Sequence, residues 1–301
     1  MEHRAYGTSG LRVSVVGLGA GQVGRDDVSE ADAAALLNGA LDAGITLIDT
    51  ARGYGLSEER IGRHIAHRRA EYVLSTKVGY SVEGHENWTP DCIRAGVERA
   101  LRVMRTDVID IVHLHSCPAH VLRDSGVVDA LLGVREAGLI RAAAYSGDNA
   151  DLAHAIQSGV FDGYMASVNI CDQRIIDDAL PVVEASRMGL IAKRPAANAP
   201  WVHPTCPTGQ YVEPYWHRFR AMGFGIAPNE SDAPGGRGWL DAALRFAAFT
   251  PGVSCAIVGT AKLAHLRQNI EAIDRGPLPP GDVGVLRSAF IRHDHHWTGQ
   301  V

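Results

Sequence analysis

The sequence predicts an α/β protein, a (β/α)8 barrel of the TIM type in a single domain over residues 1–301. Short apolar runs rich in β-branched residues recur along the chain, and each is followed by a helical pattern. There are eight such pairs, and 301 residues suit a barrel fold that commonly needs about 250 residues. Regular alternation indicates a parallel sheet, and eight units favour closure over an open doubly wound sheet.

The eight predicted strands follow one another at regular intervals. They are LRVSVVGLG, ITLIDT, EYVLSTK, VIDIVHLH, LIRAAAYSG, FDGYMASVN, LIAKRP and VSCAIVGT. An N-terminal strand or hairpin precedes them, and a long loop at residues 198–238 follows the seventh strand. This loop is rich in proline, glycine and aromatic residues, and a loop of that length in a compact domain is usually functional. No stretch reads as a linker between domains.

Composition favours a protein that acts on small molecules. The 29 basic and 34 acidic residues leave a net charge of −5, without the basic patch that nucleic acid or an anionic membrane requires. The five cysteines show no C-x-x-C spacing, so we expect neither disulfides nor a metal site. The N-terminus lacks a signal-peptide pattern and no apolar run could span a bilayer. We therefore expect a cytoplasmic protein, either a monomer or a small homo-oligomer.

The glycine-rich stretch VVGLGAGQVG near the N-terminus raises the question of a dinucleotide-binding fingerprint. That fingerprint requires a third glycine opening a helix, but Gln22 occupies the place counted from Gly17 and Gly19. The next helical pattern begins only near Ser29, so no helix N-terminus would lie over these glycines. The stretch is therefore interpreted as a strand followed by a loop.

Polar residues end three successive strands, where TIM barrels place their reactive groups. Asp49 ends the second predicted strand, Lys77 the third and His115 the fourth, and the loop after Asp49 presents Tyr54. Side chains alternate along a strand, so every second residue lies on the same face of the sheet. Within each strand the residues that share a face are Ile45, Leu47 and Asp49, then Val73, Ser75 and Lys77, then Ile111, His113 and His115. If those sides face inward, the three polar residues converge at the barrel mouth.

Such a group of residues suits acid–base chemistry. A free phenol, with a pKa of about 10, is a poor proton donor at neutral pH. A nearby ammonium stabilises phenolate and lowers the pKa of a phenol, while a carboxylate holds the ammonium in place. Tyr54 beside Lys77 and Asp49 is therefore a candidate general acid.

These residues also lie in segments that resemble the aldo-keto reductase superfamily. DTARGYGLSEERIG, STKVG and DIVHLH look like its signature segments, in order, and the likeness extends over nearly the whole chain. The resemblance implies an NAD(P)H-dependent oxidoreductase that moves a hydride between nicotinamide and a carbonyl or alcohol carbon. It implies Tyr54 as proton donor, Lys77 and Asp49 as its tuning pair, and His115 as the residue that orients the carbonyl, with His113 one layer deeper.

The resemblance further implies a nicotinamide cofactor that crosses the barrel mouth without a Rossmann fold. Gly19 and Ala20 would then contact the cofactor, and its phosphate end would fall on the loop and helix after the eighth strand. The residues implied there are Gly259, Thr260, Lys262, His265 and Asn269. Lys262 and His265 favour NADP, with NAD as the alternative.

The residues that would contact the nicotinamide ring depart from the family pattern. Ser146 is kept, but Gly147 stands where asparagine is usual, Met165 is near the expected glutamine, and Lys193 or Arg194 replaces a stacking aromatic. Asn169, Lys193 and Arg194 are the candidates to bind the nicotinamide in place of the usual family residues.

Two other functions were considered. His113 and His115 form an H-x-H pair such as binds metal in barrel hydrolases, although the later strand ends offer no further histidine. A regulatory protein that binds the cofactor but has little turnover is the second alternative. The histidine-rich tail RHDHHW is interpreted as a solvated end rather than a chelator.

A set of aromatic residues is the one feature of the sequence that bears on the class of substrate. They could form a wall suited to a small carbonyl compound or a sugar-like molecule, and they are Trp88, Trp201, Tyr211, Tyr215, Trp216 and Trp297.

Overall fold

The computed structural model describes residues 1–225 and 233–300, and its centre is a closed barrel of eight parallel strands. The barrel strands are β3 (Val16–Gly19), β4 (Leu47–Asp49), β5 (Val73–Val78), β6 (Ile109–His115), β7 (Ile140–Ser146), β8 (Gly163–Ser167), β9 (Gly189–Lys193) and β10 (Cys255–Gly259). They pair in chain order, and β10 closes the circle on β3. The predicted (β/α)8 barrel is confirmed.

Two short strands before the barrel form the expected N-terminal hairpin. β1 (His3–Ala5) pairs antiparallel with β2 (Arg12–Ser14). The sequence analysis had taken the second of these and β3 as one strand. The hairpin carries Tyr6, Leu11 and Val13 into a cluster with interior side chains such as Leu47, which lies at the amino end of its barrel strand. The hairpin therefore closes the amino-terminal end of the barrel, opposite the predicted mouth.

Helices cover the outside of the barrel. They are α1 (Glu30–Asp42), α2 (Ser57–His64), α3 (Pro90–Met104), α4 (Ala119–Asp124), α5 (Val127–Glu136), α6 (Asn149–Ser158), α7 (Arg174–Asp178), α8 (Leu180–Ala185), α9 (Glu213–Ala221), α10 (Trp239–Ala248), α11 (Leu263–Asp274) and α12 (Pro280–His293). Short 3-10 turns occur at Ala20–Gly24, Ala66–Glu71 and Pro200–Val202. The extra helices α4, α9 and α12 lie outside the eight predicted strand–helix pairs.

One predicted helix is divided by a proline. The pattern IDDALPVVEASRMG forms α7 and α8, and Pro181 lies in the first turn of the second. Proline lacks the N–H that would continue the helix ladder and clashes with the preceding turn, so it is tolerated only near a helix start. The apolar periodicity correctly predicted helix in this segment, but it did not predict the break between α7 and α8.

Apolar side chains fill the space between strands and helices in one large cluster, and a smaller one lies under α9, α10 and α12. Leu47, Val73 and Ile111 face the barrel interior as predicted. Ile45 does not: it precedes β4 and packs with Ile48 in the outer cluster. Alternation holds only inside a strand, and β4 begins two residues later than the pattern suggested.

The predicted loop at residues 198–238 contains a 3-10 turn and α9, and its residues 226–232 lie outside the described part of the chain. Within the described ranges, every helix falls short of the length and apolar content that a membrane crossing needs.

Candidate active site

Lys77 and Asp49 form a buried ion pair at the carboxyl ends of β5 and β4. Lys77 Nζ lies 2.6 Å from Asp49 Oδ2 and also donates to the backbone carbonyl of Thr50 over 2.7 Å. Both side chains are 2% exposed. Burial is the largest single effect and acts to lower the pKa of Lys77, but the charges of Asp49 and Tyr54 and the hydrogen bonds to them together hold the pKa above its usual value. Lysine therefore stays charged inside the barrel.

Tyr54 lies directly beside this ammonium. It comes from the loop between β4 and α2, and Lys77 Nζ lies 4.9 Å from the centre of its ring. The His115 ring lies edge-on at 5.9 Å between centroids. Three of the predicted catalytic residues thus surround a half-buried phenol, as the strand-end pattern suggested.

The glycines of the N-terminal stretch make room for the Tyr54 loop. A Cβ on Gly24 would lie 1.6 Å from the Tyr54 carbonyl oxygen, and the Gly24 carbonyl accepts a hydrogen bond from Leu56 N. A Cβ on Gly21 would lie 3.5 Å from the Tyr54 ring. Close packing against the Tyr54 loop is therefore one reason for glycine here. The stretch forms the predicted strand, and the predicted loop after it is a 3-10 turn.

His115 is neutral and held by a tyrosine that the sequence analysis missed. Burial lowers the pKa of His115 to about 2, and the charge of Lys77 acts in the same direction. Tyr80 Oη lies 2.7 Å from His115 Nδ1, and the two rings stack at 5.3 Å. Burial also raises the pKa of the Tyr80 phenol, so the phenol keeps its proton and can donate it to Nδ1. With Tyr80 as the donor, the proton of the imidazole lies on Nε2.

His113 lies one layer below, as the sequence analysis expected. It is fully buried, and burial lowers the pKa of His113 to about 3. Its Nε2 donates to Ser75 Oγ over 3.2 Å, and Ser75 donates to Asp49 Oδ1 over 2.8 Å. This chain of hydrogen bonds supports the carboxylate from beneath. Within the described ranges, no third side chain joins His113 and His115 in a metal-ligating group.

A second ion pair lies at the ends of β7 and β9. Lys193 Nζ lies 2.8 Å from Asp148 Oδ2, and burial lowers the pKa of Lys193 although Asp148 opposes the effect. Arg194 Nη1 donates to Ser167 Oγ over 3.0 Å and lies 3.7 Å from Asp148 Oδ2. Lys193 and Arg194, one of which stands in place of the expected aromatic residue, thus both lie beside the carboxylate of Asp148.

Asn169 is buried near this pair. Its Oδ1 accepts from Cys171 N over 2.9 Å, whereas its Nδ2 has no hydrogen-bond partner within the described residues. Ser146 pairs in register with His115 and Met165 on the neighbouring strands. Met165, which lies near the place of the expected glutamine, packs in the barrel interior.

The chain's last described residues reach the same edge. Asn149 and Gly299 exchange hydrogen bonds of 2.9 and 2.6 Å. Arg194 donates to the Gln300 carbonyl and to the Tyr211 hydroxyl, and its guanidinium lies 5.1 Å from the Tyr211 ring centre. Neither this contact nor the Asp148 pair has a signal in the local sequence pattern.

The residues that the sequence analysis assigns to the cofactor phosphate lie around the end of β10. Gly259 lies beside Gly19 in register, and Gly19 beside Asp49, so this end of β10 adjoins the Lys77–Asp49 pair. Thr260 accepts from Lys262 N over 3.1 Å, and α11 starts at Leu263 without a side-chain cap or an acid in its first turn. The remaining implied residues divide by exposure: Lys262 and His265 are exposed, whereas Ala20, Thr260 and Asn269 are buried.

The six aromatic residues do not form one wall. Tyr215 is fully buried, and Trp201 and Trp297 pack against the same small cluster. Trp88 lies against Tyr80 with 5.9 Å between ring centroids, and Trp216 donates to the His203 carbonyl. Tyr211 is 54% exposed and lies beside Arg194.

Comparison with known proteins points to one family. The sequence profile of the Aldo/keto reductase family matches residues 15–202. An uncharacterized oxidoreductase of Bacillus subtilis, YqkF, is 28% identical, with 96% of each chain covered. L-galactose dehydrogenase of Arabidopsis thaliana is 26% identical over 91% of this chain and 88% of its own. D-threo-aldose 1-dehydrogenase of a Pseudomonas species is 26% identical over 89% and 91%.

Solved structures agree with the sequence relatives. A putative aldo-keto reductase from Pseudomonas aeruginosa is 30% identical with a TM-score of 0.68, covering 91% of this chain and 94% of that one. The holo form of an aldo-keto reductase from Bacillus halodurans superimposes with a TM-score of 0.80 over 96% of each chain. At 24% identity, this likeness concerns the fold alone.

Proposed function

Because the chain belongs to the aldo/keto reductase family, we propose that it is an NAD(P)H-dependent oxidoreductase acting on a carbonyl compound or its alcohol. A hydride passes between nicotinamide and the carbonyl carbon, and Tyr54 gives or takes the proton as general acid/base. The observation that supports this most directly is the buried Lys77–Asp49 pair, whose ammonium lies 4.9 Å from the Tyr54 ring.

Each polar group has one role in the proposed reaction. Tyr54 donates its hydroxyl proton to the carbonyl oxygen, and the Lys77 ammonium stabilises the phenolate that forms. Asp49 holds Lys77 charged and in place. His115 donates from Nε2 to the same carbonyl oxygen and orients it, because Tyr80 occupies Nδ1. When bound, the reduced nicotinamide supplies the hydride.

The residues around the mouth fit the cofactor at both ends. The uncapped start of α11 offers backbone N–H groups to a phosphate, and Lys262 and His265 add side chains that suit the 2'-phosphate of NADP. At the nicotinamide end, the unpaired Asn169 Nδ2 can donate to the carboxamide oxygen. Ser146, Lys193, Arg194, Gly19 and Ala20 complete the proposed set. NADP is favoured, with NAD as the alternative.

Replacing Tyr54 by phenylalanine tests the role of its hydroxyl. We expect turnover of aldehydes and ketones, followed by nicotinamide absorbance, to fall about a hundredfold to ten-thousandfold, which is typical for loss of a positioned acid. NADPH affinity, measured by nicotinamide fluorescence, should be unchanged because the ring stays. A parallel loss of cofactor binding would mean that Tyr54 is structural. Cofactor binding by the wild type without turnover on the panel would instead support the regulatory alternative.

Replacing Lys262 by alanine tests the cofactor preference. We expect NADPH affinity to fall about tenfold, the effect of one charge-assisted contact, because Lys262 is exposed beside the start of α11. NADH affinity is the internal control and should change little. Equal losses for the two cofactors would contradict recognition of a 2'-phosphate by this lysine.

The relatives' names support a class of substrate. Two relatives are named as dehydrogenases of L-galactose and of D-threo-aldoses. We propose a small carbonyl compound or sugar-like molecule as substrate here, bound beside Tyr54 and Tyr211. We further propose a single-domain cytoplasmic enzyme, a monomer or small homo-oligomer, that binds neither nucleic acid nor membranes.

A further inference from the structure

Three side chains with metal-binding atoms meet outside the barrel mouth, in the segment that follows β9. Glu213 is the first residue of α9 and His217 the fifth, so both lie on one face of the helix. Cys206 comes from the preceding loop. The atoms concerned are Cys206 Sγ, Glu213 Oε1 and His217 Nε2.

The distances between these atoms are within about 0.3 Å of those in a tetrahedral metal site. Cys206 Sγ lies 3.5 Å from His217 Nε2 and 3.8 Å from Glu213 Oε1, and the nitrogen lies 3.6 Å from the oxygen. An imidazole–carboxylate hydrogen bond would be closer to 2.8 Å. Tetrahedral coordination with Zn–S of about 2.3 Å and Zn–N and Zn–O of about 2.0–2.1 Å separates ligand atoms by about 3.3–3.6 Å.

The same geometry is unsuited to a nucleophilic triad. In a triad the two ring nitrogens of histidine face different partners, one the nucleophile and one the carboxylate. Here Nε2 faces both Cys206 and Glu213. One nitrogen directed at two other donor atoms is typical of a ligand set around a common centre.

Neighbouring groups hold the ligands in this arrangement. Gly209 N donates to Glu213 Oε2 over 2.6 Å, which leaves Oε1 for the cluster, and the Thr208 hydroxyl donates to Cys206 Sγ over 3.6 Å. The His217 ring packs edge-on against Trp216 at 5.2 Å. Outer hydrogen bonds of this kind orient ligands in metal sites. His217 is 60% exposed, so a cation and a water ligand have access.

We propose that Cys206, Glu213 and His217 bind Zn²⁺, with water as the fourth ligand. The combination of thiolate, imidazole and carboxylate suits zinc and not the oxygen-seeking magnesium or calcium. A zinc site here departs from the expectation of no metal site, which rested on the absence of C-x-x-C spacing. The spacing C-x6-E-x3-H becomes a site only because α9 begins at Glu213.

Zinc at this site would close the turn that carries Tyr211. Tyr211 lies between Cys206 and Glu213 in the chain, and its hydroxyl accepts from Arg194 at the edge of the barrel mouth. Joining both ends of this turn to one cation would reduce its freedom, as any short cross-link does.

Titration of the reduced protein with Co²⁺ tests the site. Cobalt takes the place of zinc, and a thiolate ligand gives a sulfur-to-cobalt charge-transfer absorption. We expect this band to saturate at one equivalent and to disappear when Zn²⁺ is added. Cys206→Ser should abolish the band. His217→Ala should weaken cobalt binding at least about tenfold, since losing even an outer partner of a ligand has that effect.

Exposed tail histidines provide the matched control. A double replacement, His295→Ala with His296→Ala, removes two exposed imidazoles and should leave the band and its midpoint unchanged. Circular dichroism of the metal-free variants checks that they fold as the wild type does. Absence of the band in the wild type at one equivalent would overturn the proposal. So would its persistence in Cys206→Ser, or an unchanged midpoint in His217→Ala.

Discussion

At the scale of single residues, the hydrogen bond between Tyr80 and His115 Nδ1 leaves Nε2 free for the substrate of the proposed reaction. Tyr80 lies three residues after Lys77, in a loop where no sequence pattern marks it. When its phenol donates to Nδ1, the neutral ring presents Nε2–H. Tyr80 acts through His115 and is therefore a positioning residue for the proposed reaction.

Tyr80→Phe should lower kcat about tenfold, because it removes a hydrogen bond of about 1–1.5 kcal/mol while keeping the stacked ring. NADPH affinity should be unchanged, since the phenol contacts His115 and not the proposed cofactor residues. Tyr72→Phe is the matched control: it removes a buried phenolic oxygen that has no hydrogen-bond partner within the described residues. An equal loss of kcat in both variants would contradict a specific role for Tyr80.

The neutral histidines also predict how stability varies with pH. The folded-state pKa values of about 3 for His113 and about 2 for His115 lie below the usual 6.5, so only the unfolded chain binds these protons near pH 6. The free energy of unfolding should therefore fall as pH decreases below about 6.5, with a slope that approaches about 1.4 kcal/mol per pH unit for each histidine below about pH 5.5.

Urea unfolding of the wild type and of His113→Asn, between about pH 7 and about pH 5, checks this dependence. Over this range the variant should lose about 1.9 kcal/mol less free energy of unfolding than the wild type, because one of the two depressed pKa values is gone. Equal losses in the two proteins would mean that folding does not lower the pKa of His113.

At the scale of elements, Tyr6 is one of three hairpin side chains that close the amino-terminal end of the barrel. The Tyr6 ring occupies the space beside the first residues of β8 and β9, where a Cβ on Gly163 or Gly189 would lie 2.3 Å from its atoms. The nearest atoms to a Cβ on Gly189 all belong to Tyr6. Position 189 therefore needs glycine because of the space that Tyr6 occupies, and not because of its own backbone conformation.

A double-mutant cycle tests this contact. Gly189→Ala should destabilise the protein by about 1–3 kcal/mol through overpacking, and Tyr6→Ala by about 3–5 kcal/mol through the cavity it leaves. In the Tyr6→Ala background, Gly189→Ala should cost far less, because the obstructing ring is gone. Gly133→Ala, in helix α5 with open space around it, is the control and should be neutral or stabilising. Equal costs of Gly189→Ala in both backgrounds would contradict the assignment.

Element boundaries show where pattern reasoning succeeds. The start of α1 was predicted near Ser29, and the Ser29 hydroxyl indeed caps the helix by accepting from Asp32 N. The break between α7 and α8 and the late start of β4 were missed. Apolar periodicity averages over several turns, so a single proline or a short strand changes little in it.

At the scale of the whole molecule, the long segment after β9 connects the smaller apolar cluster with the edge of the barrel mouth. Tyr215 and Phe219 of α9 are buried with Trp239 of α10 in the smaller apolar cluster. The same segment brings Tyr211 to Arg194 and contains the cysteine, glutamate and histidine of the proposed zinc site. Packing of α9 therefore links the outer cluster to the edge of the mouth.

The sequence by itself determined the eight strand–helix units and the convergence of Asp49, Lys77 and His115. Both follow from local rules: apolar periodicity distinguishes strands from helices, and parallel strands end at one edge of a closed sheet. Tertiary structure decided the Tyr80–His115 bond, the Tyr6 closure and the meeting of Cys206 with α9. These depend on loop conformations and on contacts between distant parts of the chain, which no periodic pattern encodes.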